Sequence, residues 1–401
     1  MGSICITPSS SQLRGPGVAF RITVTLLVLL SISTTNEQAA TTFCVPVLGL
    51  SMQQQPPPTQ PKILSVGLGA VDFVATVDHF PEPDEKMRSS SLLVEGGGNA
   101  ANTACAIAGL FPTSDDGSSS TTASSSNLLT AVGDDPNGNI IIDGLTTRNV
   151  NVLAERYPGN SPFSYILANN DPKDGSNTRT CIHQPSSGDM SVGYVLNDDN
   201  VNIKDMTAVH FDVRYPTAAV QLAKKCIELN IPYSVDVERP RDGLEEILKG
   251  ASVVICNSEY CQNVDEKNGE GGTVQCLTRV MKKQAPHAKI AVQTLGSKGS
   301  CLVILDEDMK STVLSLIDAN GNGKKDNDDD DDDDTVVLLE DKDLPGLPVV
   351  TLSSQDGSLT CSACSGGDVV DSTGAGDAFI GGFLSALWAH HHSASASASA
   401  S

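Results

Sequence analysis

The sequence predicts an α/β fold, a mostly parallel sheet covered by helices on both faces, with a small second sheet set apart from it. Three observations carry that expectation. Short aliphatic runs alternate with helical patterns from Phe111 onward, the mark of repeated β-α units. Two segments break the alternation: "SPFSYILANN" and "TRTCIHQP" read as a β-hairpin across the polar turn Asp171 to Asn177. Composition is globular at 39% hydrophobic but only 4% aromatic, so aliphatic side chains must fill the core.

Taken in order, folding is expected to begin near Lys62. "KILSVGLG" is a short strand ending in glycines, and "VDFVATVDHFPEPDEK" is broken by Pro81 and Pro83. Met87 to Val94 alternates like an exposed strand, and Asn99 to Leu110 is helical in composition. Strands are expected at Leu128 to Val132, Ala208 to Val213, Tyr233 to Val237, Ser252 to Cys256, Lys289 to Gln293 and Cys301 to Leu305. Helices fall between them at Gly138 to Thr147, Thr217 to Leu229, Leu244 to Leu248 and Thr273 to Lys283. The Met87 to Val94 strand and the hairpin would make the small sheet.

The chain has 401 residues and a net charge of −23. A protein this acidic repels phosphate polymers, which excludes a nucleic-acid partner; a small anion needs only a local nest of donors. Cysteines number eleven, and Cys105, Cys226, Cys256 and Cys301 sit singly in apolar runs, as buried thiols of a reducing compartment do. Cys361 and Cys364 form a CxxC without a second Cys/His pair, which reads as a plain loop before a zinc site or redox pair. Residues 112–127, 318–334 and 391–401 are low-complexity stretches expected to be disordered. Asp318, Asn320, Asn322, Gly323 and Asp329 match a calcium-loop spacing, but aspartate replaces the final glutamate and no amphipathic helices flank it. A solvated aspartate tract is the preferred reading there.

At the N-terminus, Arg14 and Arg21 precede the apolar run Ile22 to Ile32, too short to span a bilayer and followed by small residues, like a cleavable signal. A Gln/Pro-rich stretch without acids continues to Pro61. Residues 1–61 are therefore expected to be a targeting presequence and linker, similar to the bipartite leaders that address plastids behind endoplasmic-reticulum membranes. A secretory or cytoplasmic destination is the alternative, and the mature form, with its folded domain over 62–390, is expected to be free of membrane.

Chemistry concentrates at "VVDSTGAGDAFIGGF", Val369 to Phe383. Gly374, Ala375 and Gly376 expose backbone at a helix start, where free N–H groups and the macrodipole favour anionic oxygen. Asp377 in the first turn either stabilises the helix, worth about 0.3–1 kcal/mol, or takes a proton from a hydroxyl while the N–H nest holds a phosphoryl group. A second cluster, "EGGGNAANTACAIAGL", places Gly98, Asn99 and Asn102 where a strand meets a helix. Amide side chains both donate and accept, which suits a polyhydroxylated ligand. Asp72 follows the first strand in an otherwise apolar stretch and either caps a turn or joins that ligand site.

The order "VGxxxxD", "GGNAAN", "DSTGAGD" resembles the pfkB/ribokinase family of sugar and nucleoside kinases, from about Lys62 to Trp388. "VDHFPEPDEKMR" and the hairpin segment are most similar to its ketohexokinase-like branch. The resemblance implies a ribokinase-like three-layer α/β/α sandwich with a β-sheet lid from about 85–95 and 162–184. It implies transfer of the γ-phosphoryl group of ATP, with Mg2+, to a small sugar, a ketohexose such as fructose. Asp377 would be the catalytic base and Gly374, Ala375 and Gly376 the anion hole. Asp72, Gly98, Asn99 and Asn102 would contact sugar hydroxyls, with Arg179 in the lid near the substrate or the transferred phosphate.

On the nucleotide side, the resemblance places Thr294, Gly296 and Gly299 against ATP, the alternative being an ordinary strand-helix turn. Asn257 and Glu259 stand one residue closer together than the family's N-x-x-E for magnesium-bound water, so either Glu259 substitutes or the nucleotide phosphates hold the metal. Asp371 and Thr373 match positions that hold a monovalent cation, K+, in some members. Asp84 matches a position that reaches a partner subunit's sugar site, implying a homodimer through the lid. Relatives continue past the catalytic helix, where this chain enters histidines and a Ser-Ala repeat after Trp388. Two other readings stay open: a nucleoside kinase, for which Phe163 and Tyr165 are the aromatics near the lid, and a non-catalytic plastid assembly factor.

Overall fold

Ile63–Val66 (β1) is buried at all four residues, as only a strand covered on both faces can be. The computed structural model describes residues 60–111, 124–170, 177–260, 272–304, 335–337, 350–353, 358–361 and 374–399. The presequence up to residue 59, most of the 112–127 insert, the 318–334 tract, Cys364, Asp371 and Thr373 lie outside them.

The strands that join β1 are β4 (Ser126–Gly133), β5 (Asn151–Tyr157), β8 (Ala208–Phe211), β9 (Tyr233–Val237), β10 (Val253–Asn257), β11 (Ile290–Thr294), β12 (Ser300–Ile304), β13 (Thr335–Val337), β14 (Val350–Ser353) and β15 (Ser358–Cys361). Their order is β13-β14-β15-β12-β11-β10-β9-β8-β1-β4-β5. From β5 to β11 every pairing is parallel; from β11 to β13 every pairing is antiparallel.

The α-helices that accompany the strands are α1 (Asn99–Leu110), α2 (Pro136–Thr147), α3 (Val192–Leu196), α4 (Pro216–Glu228), α5 (Leu244–Leu248), α6 (Thr273–Lys283) and α7 (Ala375–Ser399). Strand alternation divides the core between the two faces. Val254 joins Leu222, Ile247 and Leu277 of α4, α5 and α6, while its neighbours Val253 and Ile255 join Ile107, Phe379 and Phe383 of α1 and α7. The result is the three-layer sandwich that the sequence predicts. The glycine pair in α7 has a packing reason: a Cβ on Gly381 would stand 2.6 Å from Ala106 Cβ and 2.8 Å from the Thr103 carbonyl oxygen, so only glycine lets α7 lie this close to α1.

A separate sheet has the order β3-β2-β6-β7, from β3 (Ser91–Gly97), β2 (Ala70–Val77), β6 (Phe163–Asn170) and β7 (Asn177–Gln184). Here the sequence reading needs correction. β2, read as broken, is a full strand at the centre of this sheet, because Pro81 and Pro83 fall beyond its end. The strand expected at Met87 to Val94 begins at Ser91 and runs on to Gly97. β5 was not expected either; its burial is partial along most of its length, so it lacks an aliphatic run.

Three smaller expectations also change. The turn after Thr294 joins antiparallel β11 and β12, and so is a strand-strand turn. α7 continues through the histidines to Ser399, past the boundary at 390, the alanines of the repeat being good helix formers. Cys105 and Cys226 carry free thiols, and Cys226, Cys256 and Cys301 are buried, but Cys276 is disulfide-bonded, so the thiol reading does not extend to it.

Candidate active site

The turns at the carboxyl ends of β1, β8 and β9 meet the starts of α1 and α7. Gly98 begins α1 at φ 97°, and a Cβ there would collide with the Leu68 carbonyl. This close crossing of backbones brings the turn after β1 against Asn99 and Asn102.

α7 starts from Gly374 at φ 72°, whose carbonyl accepts from Ala378 N–H at 2.8 Å. Ala375 and Gly376 are exposed, and the space above Gly376 is open. The first-turn N–H groups have no partner within the helix, so they form an open nest for anionic oxygen. Asp377 Oδ2 accepts from Asn102 Nδ2 at 2.9 Å, and Thr103 Oγ1 donates to the Asp377 carbonyl at 3.4 Å. Burial pushes the Asp377 carboxyl up to about 7; the Asn102 bond opposes this, Glu238 and Asp212 add to it, and Arg214 pulls against it. A carboxyl in that range is matched to proton abstraction near neutral pH.

The acids around Asp377 are ones that the sequence reading missed. Asp212, after β8, accepts from Leu68 N–H at 2.8 Å, Ala100 N–H at 3.3 Å and Arg214 N–H at 2.9 Å. One carboxylate thereby ties together the turn after β1, the start of α1 and its own loop. Asp236 on β9 is buried, and that burial, reinforced by Glu238, Asp377 and Asp212, holds it well above the usual carboxylate range. Glu238 accepts from Asn99 Nδ2 at 2.8 Å and from Arg214 Nη2 at 3.0 Å. Between Asp212 and Arg214, Val213 sits at φ 57°, a conformation that costs a β-branched residue on the order of 1–3 kcal/mol. The visible signal was the charge in "HFDVRYP" and "VDVERPR", at carboxyl ends of strands, where α/β folds place ligands.

Asp72 lies at the centre of the small sheet, in one cross-strand row with Glu95, Ser164 and His183. Burial pushes its carboxyl up, opposed by a Ser164 hydrogen bond and by His183 and Arg179. Arg179, expected in the lid, is on β7 and shares the face of His183, four residues along. Phe73, Phe163 and Tyr165 pack on one another at 5.2 to 5.8 Å between ring centroids. Phe73 follows Asp72 directly, so this cluster belongs to the opposite face of the sheet.

The residues expected around the nucleotide form a second group. Asn257 and Thr294 are register partners at the carboxyl ends of β10 and β11. Asn257 Oδ1 accepts from Tyr260 N–H at 2.8 Å, capping a helical turn that carries the exposed Glu259. Leu295 N–H donates to the Gly299 carbonyl at 2.7 Å, with Gly296 at φ 59° and Gly299 at φ 89°. Backbone with open space over Gly296 suits a nucleotide passing close. Among the described residues no group of three or more His, Cys, Asp or Glu is placed to hold a metal. Asp84 is exposed, at φ 65°, in the loop between β2 and β3.

The profile of pfkB family carbohydrate kinases matches residues 60–322 and 348–401. An ATP-dependent ribose-1-phosphate kinase of Halopiger xanaduensis is 26% identical over 212 residues, covering 49% of this chain and 61% of the relative. A ketohexokinase of Mus musculus is 22% identical over 213 residues, covering 51% of this chain and 65% of the relative. The aligned stretch thus spans less than two thirds of either relative. A ribokinase structure from Giardia lamblia superposes with a TM-score of 0.56 at 17% identity, covering 81% of this chain and 82% of that one. The fold is ribokinase-like.

Proposed function

The chain belongs to the pfkB family of carbohydrate kinases, and from that premise we propose that it transfers the γ-phosphoryl group of ATP to a hydroxyl of a small sugar, a ketohexose such as fructose. One observation carries the reading: Asp377, poised near neutrality and held by Asn102, stands in the first turn of α7 beside an open N–H nest.

ATP, arriving with Mg2+, supplies the phosphoryl group. The nest at Gly374, Ala375 and Gly376 faces the charge that builds on it. Asn99 and Asn102 orient the sugar, Asp72 binds a hydroxyl from the lid side, and Asp377 removes the proton from the attacking hydroxyl. Closing the lid excludes water from the phosphoryl group. The ketohexokinase relative supports a ketose acceptor, and the placement of the lid aromatics away from the Asp72 face supports a sugar over a stacked nucleoside base.

ADP release measured over ketoses, aldoses and nucleosides tests the acceptor. Asp377→Asn should lower kcat by at least about a hundredfold, the lower range for a positioned base; undiminished turnover in that variant would sink the mechanism. The lid is also proposed as a dimer surface. Leu92, Leu93, Val94, Tyr165 and Ile182 are exposed on it, and a monomer by sedimentation would refute that assembly.

A further inference from the structure

The lid carries a polar row of which the proposed mechanism uses only one member. Asp72 on β2, Ser164 on β6 and His183 on β7 are register partners, side by side across three strands. Asp72 and Ser164 are buried and His183 is exposed, so the row runs from the interior of the lid to its open edge. A Cβ on Gly97 would collide with the Asp72 carboxylate, so glycine there makes room for the start of the row.

His183 also lines a cleft of about 260 Å³, together with Leu68, Arg214, Arg239 and Arg241. These belong to the same loops that position the sugar contacts: Asp212 binds Leu68 N–H and Ala100 N–H, and Glu238 binds both Arg214 and Asn99. The guanidinium groups are met by acids. Glu238 lies 3.0 Å from Arg214 and 3.7 Å from Arg241, and Asp212 acts on both. A cleft whose charges are matched in this way suits a neutral polyhydroxylated ligand.

The protons along the row have one consistent arrangement. Ser164 has a single hydroxyl proton, and its hydrogen bond opposes the burial that raises the Asp72 carboxyl, so that proton is donated to Asp72. The Ser164 oxygen then accepts from His183 Nδ1, 3.4 Å away, which assigns the ring proton to Nδ1 and makes Nε2 an acceptor. Burial first, then Arg214, with smaller contributions from Arg239 and Arg241, pulls His183 down against the opposing effect of Asp72, so the ring is neutral near pH 7. Its arginine neighbours in the cleft donate and cannot accept. A sugar hydroxyl does both: it can give its proton to Nε2 and receive one from a guanidinium group.

We propose that His183 Nε2 accepts a hydrogen bond from a sugar hydroxyl other than the one facing Asp377, and that the lid thereby selects the acceptor. This rests on the sugar-kinase reading and deepens it by adding a specificity-determining residue. The bonds all point one way, from the sugar hydroxyl to His183, from His183 to Ser164 and from Ser164 to Asp72, so each polarises the next. Two strand spacings, about 10 Å, separate the backbones of Asp72 and His183, so the two acceptors serve hydroxyls on different carbons.

The test is kcat/KM, by ADP release from the full chain, for the sugar turned over best and for each of its monodeoxy analogues, repeated in His183→Phe and His183→Gln. In the unmodified chain one analogue that is still phosphorylated should lose about fivefold, the typical value of one hydrogen bond between neutral groups. His183→Phe should abolish that penalty, and His183→Gln, whose amide oxygen can accept, should keep most of it. Penalties of the same size in His183→Phe and in the unmodified chain overturn the proposal while the kinase reading stands; no turnover of any sugar by the unmodified chain sinks both. Nitrogen-15 shifts of the His183 ring give a readout independent of activity: a proton on Nδ1 sustains the arrangement, and a proton on Nε2 overturns it.

Discussion

Asn102→Ala should move the acid limb of the kcat/KM profile to higher pH. The Asn102 amide donates to the Asp377 carboxylate at 2.9 Å and opposes the burial that raises this carboxyl to about 7. A hydrogen bond to a charged group is worth about 1.5–3 kcal/mol, and 1.36 kcal/mol corresponds to one pH unit, so the limb should rise by about one unit or more. At pH 7 the ionised fraction would fall from about half to roughly a tenth, a loss of about fivefold that is regained near pH 9. Asn102 is also expected to contact the sugar, which adds a loss that does not vary with pH. ADP release at subsaturating sugar between pH 5.5 and pH 9.5 separates the two components, because kcat/KM reports groups of the free enzyme. A limb that stays in place, with the same fractional loss at every pH, would show that the bond does not set the protonation of Asp377.

Asp377→Asn should raise the melting temperature at pH 8.5, with the gain shrinking toward pH 4. A carboxyl lifted from 3.8 to about 7 favours the folded state below pH 3.8, and that contribution is lost as pH rises through about 7; a variant less stable than the parent at pH 8.5 would contradict this. Gly381→Val should cost about 1–3 kcal/mol in denaturant unfolding, since its Cβ would press on Ala106 and Thr103 of α1. Asp135 accepts from Gly138 N–H, Ser161 N–H and Ser161 Oγ at 2.6 to 3.1 Å as the N-cap of α2. Its replacement by alanine should cost about 1 kcal/mol, and an unchanged unfolding midpoint would show that the cap contributes nothing.

The main sheet was legible because its parallel strands are buried on both faces and so read as aliphatic runs, as Val253 to Cys256 does. Asp377, Gly374, Asn99 and Asn102 were legible because small residues crowd the turns where backbone must meet ligand. β2 and β5 were not, since each is only partly buried over much of its length and leaves no strong hydrophobic pattern. The boundary of β3 shifted because the glycines that end its pattern still take part in pairing with β2.

By itself the sequence determined the layers of the fold and the two glycine-framed turns, for these follow from local burial patterns and backbone conformation. Only the tertiary structure decided what surrounds Asp377. Asp212, Asp236 and Glu238 lie 139 to 165 positions away from it along the chain and influence it because β8 and β9 end beside α7. Electrostatic influence falls with distance in space and with exposure to water, neither of which is a property of sequence separation.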